Sequence, residues 1–63
     1  MDLTERLAQA RKARGLSQAE AAERMNVSRQ AISRWETGTG MPTLDNLIQM
    51  SKLYQVSLDE LVY

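Results

Sequence analysis

The sequence predicts an all-α domain built from five short helices. Apolar residues recur along the chain at spacings of three and four, which is the period of an amphipathic helix. A capping residue (Asp, Ser or Thr) stands before each apolar stretch, and no stretch alternates apolar and polar residues as a strand would. The 63 residues are enough for one small core, so we expect a single domain over residues 1–63.

The first two helices each have a recognisable beginning and end. Asp2–Glu5 and Ser17–Glu20 place a glutamate three residues after a capping side chain, as in a capping box. Gly15 and Asn26 stand where the helices must end, and both residue types accept a positive φ. The predicted inner faces are Leu3, Leu7, Ala10 and Ala13 or Arg14 in the first helix, and Ala21, Ala22 and Met25 in the second.

The remaining three helices follow the same pattern. Ser28 caps a third helix that begins at Arg29 and continues to about Glu36, and Gly38 ends it. After a loop, Thr43 caps a fourth helix, and the capping box Ser57–Glu60 opens a short fifth one. The predicted inner faces are Leu44, Leu47, Ile48, Ser51 and Tyr54 in the fourth helix, and Leu58, Leu61 and Val62 in the fifth.

The composition argues against a catalytic or metal-binding function. The chain has no Cys and no His, so thiolate ligands, disulfides and the commonest general base are all missing, and the acidic residues are scattered. We therefore expect no catalytic residue, no metal site, no cofactor and no enzyme. No apolar run approaches the ~20 residues that cross a bilayer, and no basic-then-apolar leader opens the chain, so we expect a cytoplasmic protein without a membrane partner.

The formal net charge is zero, but the charge is unevenly distributed. Between Arg6 and Glu36 there are seven basic residues and three acidic ones, whereas Lys52 is the only basic residue after Glu36. The zero net charge argues mildly against a nucleic-acid partner, because a basic domain is the usual electrostatic footprint. The excess of basic residues in the first half of the chain partly restores the hypothesis of a nucleic-acid partner.

Residues 17–37 carry the most specific pattern, that of a helix-turn-helix motif. Two short helices that cross at a large angle need small residues where their backbones approach each other. Those small residues are Ala21, Ala22 and Ala31. Asn26 can supply the positive φ that the turn needs, and Val27 follows as an apolar anchor.

The third helix has two unlike faces. On a wheel of about 100° per residue, the apolar Ala31, Ile32 and Trp35 fall between about 200° and 300° from Arg29. The opposite face is formed by Arg29, Gln30, Ser33, Arg34 and Thr37, and it contains no acid. Arg pairs with guanine, Gln with adenine, and Ser or Thr with bases or phosphates. This pattern alone leaves open the alternative that the polar face is simply exposed to solvent and has no role in DNA binding.

Four runs together resemble the phage-repressor and Cro family of helix-turn-helix domains, also called the xenobiotic-response-element family. They are Leu16–Glu20, Val27–Gly38, Pro42–Leu47 and Val56–Leu61. The resemblance covers the whole chain and implies a compact five-helix, repressor-like domain. It also implies a sequence-specific transcriptional regulator that binds double-stranded DNA with its third helix in the major groove. Because many members of the family repress transcription, the resemblance favours a repressor.

The resemblance also implies roles for individual residues. The expected base-reading residues are Arg29, Gln30, Ser33 and Arg34, and the expected phosphate contacts are Gln18, Ser28 and Thr37. Arg11 and Glu36 match a pair that forms a partly buried, structural salt bridge in relatives. The loop Thr39–Met41 lacks the Lys or Arg that relatives often carry there, so we expect fewer phosphate contacts and a shallower salt dependence.

Family members usually bind as dimers, which implies an inverted-repeat operator and a weak homodimer. The residues expected at that interface, at the apolar C-terminal end, are Leu58, Leu61, Val62 and Tyr63. The same residues could cap the core, and the two roles are compatible. A second hypothesis is a protein-interaction module, antitoxin-like or an anti-repressor partner, that retains the fold. The neutral charge and the uncharged loop favour this alternative. DNA binding falls steeply with salt, whereas protein binding through an apolar end depends on salt much less.

Overall fold

The computed structural model describes residues 2–63, so Met1 of the predicted domain lies outside the described residues, and it confirms the all-α fold. Those residues form five helices and no strand: α1 (Leu3–Ala13), α2 (Gln18–Met25), α3 (Arg29–Thr37), α4 (Leu44–Tyr54) and α5 (Leu58–Val62). α3 packs against both α1 and α2, while α4 contacts α1, α2 and α5, and α5 returns to α1. The five helices form one bundle with a radius of gyration of 10.0 Å.

Each helix begins at the capping residue that the sequence predicts. The capping side chains that accept a backbone N–H bond at the start of a helix are those of Asp2, Ser17, Ser28, Thr43 and Ser57. At Ser17 and Ser57 the capping box is complete, because the glutamate three residues later accepts the backbone N–H of the capping residue. The bond from the Ser17 backbone lowers the pKa of the Glu20 carboxyl, because it favours the charged form.

Four of these helices end with a residue of positive φ. These residues are Gly15 (78°), Asn26 (57°), Gly38 (87°) and Gln55 (58°). After each one, the next backbone N–H donates to a carbonyl five residues back, as in a Schellman motif. Leu16, Val27 and Val56 are the residues that follow three of these ends, and all three pack against the core. The sequence did not indicate the end at Gln55, because glutamine rarely adopts this conformation.

The core takes side chains from all five helices. Its buried apolar members are Leu7, Ala21, Ala22, Met25, Ile32, Trp35, Met50, Tyr54 and Leu61. Ala21 and Ala22 are almost completely buried, and α2, which carries them, packs more extensively against α3 than against any other helix. The small alanine side chains allow this close approach. The predicted inner residues of α2 and the apolar anchors of α3 are therefore confirmed.

The predicted inner face of α4 was right at Leu47 and Tyr54 and wrong at Leu44. Leu44 is 63% exposed, whereas Met50, which the prediction omitted, is 1% exposed. The stripe that faces inward runs through Leu47, Met50 and Tyr54, which have the same spacings of three and four. Burial in α4 increases towards its C-terminal half, so its first turn and Leu44 lie outside the core. At the end of α1, likewise, Ala13 and the capping residue Arg14 are both exposed, so neither belongs to the inner face.

Arg11 is the buried charged residue of α1, and it pairs with Glu36 of α3. Its Nε donates to Glu36 Oε2 at 2.7 Å, and its Nη2 donates to Glu36 Oε1 at 3.1 Å. Its Nη1 donates to the carbonyl oxygen of Leu16 at 2.7 Å. The two side chains are 9% and 7% exposed. The bond to Glu36 raises the pKa of the Arg11 guanidinium and so favours its charged form.

Tyr54 of α4 places its hydroxyl inside the core. The residue is 3% exposed, and its Oη is buried without a hydrogen-bond partner among residues 2–63. Burial raises the pKa of Tyr54 from 10.0 to about 12, and the negative charge of Glu36 acts in the same direction. The fold therefore favours the neutral phenol over the phenolate.

We expect Arg11→Met to destabilise the protein by about 3–5 kcal/mol, because it leaves the buried Glu36 carboxylate without its counter-ion. This is a large part of the roughly 3–9 kcal/mol expected for a domain of this length. The double variant Arg11→Met/Glu36→Leu should recover most of the loss, since it replaces the whole pair by apolar side chains. Urea unfolding followed by circular dichroism measures both. A double variant as unstable as the single one would contradict the prediction.

We expect Tyr54→Phe to be as stable as the unsubstituted protein at pH 8, or more stable by about 1 kcal/mol, because it removes a buried hydroxyl that has no partner. The folded-state pKa lies above the unfolded one, so the contribution of the neutral phenol is complete below pH 10 and falls as the pH rises towards 12. The advantage of the variant should therefore grow between pH 8 and pH 11, by at most about 1 kcal/mol. Urea unfolding at both pH values measures it, and an unchanged difference would show that the hydroxyl is not desolvated.

Candidate nucleic-acid interface

The polar face of α3 points away from the core. Ile32 and Trp35, which are 1% and 8% exposed, hold the opposite face of this helix in the core. The predicted base-reading residues Arg29, Gln30 and Arg34 are exposed, and Ser33 is half-buried. The structure thus brings these four residues together on one accessible surface. The first turn of α3 contains no acidic residue, which leaves the positive end of its dipole uncompensated.

The turn before α3 sets where that helix begins. Asn26 has φ 57° and ψ 44°, which reverses the chain, and the backbone N–H of Val27 donates to the carbonyl oxygen of Ala22 at 3.0 Å. Ser28 is exposed, and its Oγ accepts the backbone N–H of Ala31 at 3.1 Å. Because this bond uses a lone pair, the Ser28 hydroxyl still has its own hydrogen to donate to an anion.

Gln18, the first residue of α2, lies beside both ends of α3. Its Nε2 donates to Glu36 Oε1 at 3.1 Å, and its Oε1 accepts a bond from Arg29 Nη1 at 3.4 Å. Arg11, Glu36, Gln18 and Arg29 therefore form one hydrogen-bonded chain from the interior to the exposed surface. The sequence predicts three separate roles for these residues (a salt bridge, a phosphate contact and a base contact), since no spacing along the chain indicates that their side chains meet.

The C-terminal end of α3 is shaped by the loop that follows it. Thr37 is exposed, and its Oγ1 donates to the carbonyl oxygen of Arg34 at 3.3 Å and shares a 3.2 Å hydrogen bond with Thr39 Oγ1. A Cβ added to Gly40 would lie 3.6 Å from Arg34 Cβ and 3.9 Å from its Cδ. The loop therefore lies against the aliphatic part of Arg34. Thr39 and Gly40, which the sequence marks only as part of the uncharged loop, are therefore neighbours of the site.

Two apolar surfaces lie outside the polar face of α3. Met41, in the uncharged loop, is 76% exposed, and Leu44 lies close to it in the chain. At the C-terminal end, Val62 and Tyr63 are exposed and Leu58 is half-buried. Leu61 is 1% exposed, so its predicted place in a dimer interface was wrong. Its side chain is a core residue because it lies on the inner face of α5, which packs against α1 and α4.

Outside the polar face of α3, residues 2–63 form a groove but no cluster that could hold a metal ion. No group of three or more acidic side chains in this part of the chain is arranged to hold a metal ion. A groove of about 210 Å³ lies between α1 and the C-terminal region, and its lining includes Arg6, Ala10, Val56 and Glu60. In the described part of the chain, every helix is too short or too polar to cross a membrane.

Residues 7–61 match the family described as helix-turn-helix. The chain is 44% identical over 62 residues to the HTH-type transcriptional activator BcrR of Enterococcus faecalis, covering 98% of this chain and 30% of that protein. It is 38% identical over 61 residues to the cryptic phage CTXphi transcriptional repressor RstR of Vibrio cholerae, covering 97% and 54% respectively. The chain therefore spans only about a third to a half of these relatives.

The fold is also similar to that of the P22 c2 repressor, whose structure was determined in complex with a synthetic operator. The TM-score is 0.90 at 35% identity, and the match covers 98% of this chain and 94% of the other. This chain belongs to the helix-turn-helix family and has the five-helix fold of a phage repressor.

Proposed function

We propose that this chain is a sequence-specific, double-stranded DNA-binding domain of a transcriptional regulator, with α3 as its recognition helix in the major groove. The observation that carries the proposal is the exposed, acid-free face of α3, which is held outward by the buried Ile32 and Trp35. The P22 c2 repressor, with which the chain shares its fold, was determined in complex with an operator. BcrR and RstR are both named as transcriptional regulators.

The proposed base-reading residues are Arg29, Gln30, Ser33 and Arg34. A guanidinium can bond both acceptors of guanine, and a carboxamide can bond both polar atoms of adenine. The proposed phosphate contacts are Gln18, Ser28 and Thr37. Gln18 and Ser28 lie at helix N-termini, where backbone N–H groups and the helix dipole favour an anion. Thr37 lies at the other end of α3, so the three contacts flank the reading residues.

The domain is further proposed to bind an inverted-repeat operator as a weak homodimer. The apolar residues available at the C-terminal end are Leu58, Val62 and Tyr63, since Leu61 belongs to the core. We propose repression as the direction of regulation, as in RstR and P22 c2, while the activator BcrR shows that relatives can act in the opposite direction. We also propose a cytoplasmic location, because a DNA-binding regulator needs access to the chromosome.

Selection from a random duplex library at moderate salt should enrich an inverted repeat whose half-sites lie about 34–36 Å apart, the spacing of one helical turn. Sequencing of the bound fraction measures it. Enrichment of a single half-site would retain DNA recognition but contradict the homodimer. No enrichment by the folded protein would contradict the proposed function and favour the protein-interaction module.

On the selected operator, Arg29→Ala should weaken binding by about 1–3 kcal/mol and relax the preference at one base pair, because it removes a bidentate base contact. Titration of the operator and of its single-base variants measures both effects. Arg24→Ala is the matched control: it removes the same charge from an exposed arginine in the last turn of α2, outside the proposed reading face. If Arg29→Ala kept the full affinity and the same base preferences, Arg29 would not be a base reader.

A further inference from the structure

The groove between α1 and the C-terminal region is lined by apolar residues and by two charged ones. Ala10, Val56 and Leu61 are lining residues that lie in the core or pack against it, and Arg6 and Glu60 also line the groove. Its volume is about 210 Å³. Sites for small molecules usually measure about 300–1,000 Å³, so this groove is better matched in size to a single side chain.

Both charged residues of the groove can make further contacts. Within residues 2–63, no acidic side chain forms an ion pair with the Arg6 guanidinium. Glu60 Oε1 accepts the backbone N–H of Ser57 at 3.3 Å, and its Oε2 can accept another bond. A guanidinium is attracted to the face of an aromatic ring, and a carboxylate oxygen accepts an O–H bond. A ring that carries a hydroxyl group therefore matches the chemistry of this groove.

Tyr63 is an exposed side chain of that kind. It is 86% exposed, whereas Tyr54 is 3% and Trp35 is 8% exposed. Its backbone N–H donates to the carbonyl oxygen of Asp59 at 2.9 Å, so Tyr63 continues the helical path of α5 by one residue. Residues three apart on a helix lie on the same side, and Tyr63 is therefore beside Glu60 at the edge of the groove. It does not line the groove of its own chain.

We infer that the Tyr63 ring of one copy of this chain binds in the groove of a second copy, and that the second copy makes the same contact in return. Because Tyr63 and the groove lie on the same side of α5, a single two-fold axis can form both contacts at once. The ring packs against Ala10 and Ala13, Arg6 lies over its face, and its hydroxyl donates to Glu60. This inference rests on the proposed homodimer and adds α1 to its interface.

The size of this contact predicts a weak dimer. One buried aromatic side chain removes about 150–250 Å² from water, so two rings remove about 300–500 Å². The groove surface that they cover is of similar size. The sum remains below the about 1,200–2,000 Å² that stable protein interfaces bury. Self-association must therefore be measured at high protein concentration.

Sedimentation equilibrium of the protein without DNA, from about 10 μM to 1 mM, measures the Kd of a weak dimer. Tyr63→Ala should raise this Kd by about 10-fold or more, because it truncates a buried aromatic anchor in both copies. Tyr63→Phe keeps the ring and should raise the Kd less. Met41→Ala is the matched control, since Met41 is 76% exposed and apolar but does not line the groove, and it should leave the Kd unchanged. A Kd that Tyr63→Ala does not change, or a protein that is monomeric throughout, would overturn the inference.

A substitution on the other side of the contact tests whether Tyr63 binds in the groove. Ala13 is exposed and lines the groove, so Ala13→Leu should fill part of it without disturbing the core. It should raise the dimer Kd, and the double variant Tyr63→Ala/Ala13→Leu should be no weaker than Tyr63→Ala, because both substitutions remove one contact. Circular dichroism checks that each variant is folded. Additive losses would mean that Tyr63 and the groove make separate contacts, and the inference would be wrong.

Nuclear Overhauser effects in a mixture of carbon-13-labelled and unlabelled protein identify the copy that supplies the ring. Cross-peaks between Tyr63 ring protons and the methyl protons of Ala10 and Ala13 should join different copies. Cross-peaks within one copy only would show that Tyr63 folds onto its own groove, which contradicts the inference.

These measurements use no DNA, so they are independent of the proposed function. If an inverted repeat were selected by a dimer whose Tyr63 lies outside the groove, this inference alone would fail. If the cross-peaks between copies were present but the library selection showed no base preference, the proposed function alone would fail.

Discussion

The buried ion pair between Arg11 and Glu36 is the interaction on which the rest of this structure depends. It joins α1 to α3, and both of its charged side chains are largely shielded from water. A pair in such a place is tolerated only when its remaining hydrogen-bonding groups are also satisfied. Here Nη1 of Arg11 donates to the carbonyl oxygen of Leu16, and Gln18 donates to the carboxylate. The pair therefore fixes the end of α1, the end of α3 and the start of α2 relative to one another.

A domain this small has only a small hydrophobic core with which to hold its surface rigid. Its helices are short, so each one relies on its end groups: a capping side chain at the start and, for four of them, a left-handed residue at the end. The two alanines Ala21 and Ala22 bring α2 close to α3, and Ile32 and Trp35 anchor the inner side of α3. Because these anchors occupy the inner side, the polar side chains of α3 must project outward. The accessible surface is thus a consequence of how the core is filled.

The charged residues are distributed unevenly over the surface, although they sum to zero. The chain is formally neutral, yet the exposed face of α3 contains arginine without any acid, while α2, α4 and α5 have acidic residues in their first turns. A polyanion that approaches this face interacts mainly with the charges on it, because the fields of more distant exposed charges are screened within about 8–10 Å. The uncharged loop at Thr39–Met41 reduces the number of further cations at the edge of this face.

The sequence by itself determined the five helices and most of their limits, because caps, left-handed residues and apolar spacing act over one or two turns of the chain. The end of α4 at Gln55 is the exception. The sequence also determined which residues share the polar face of α3, since a helix converts spacing directly into direction. Only the tertiary structure decided that Met50 rather than Leu44 of α4 faces inward, and that Leu61 belongs to the core rather than to a surface. It also decided that Gln18 joins Glu36 to Arg29, because that contact depends on how α2 and α3 cross and not on any local pattern.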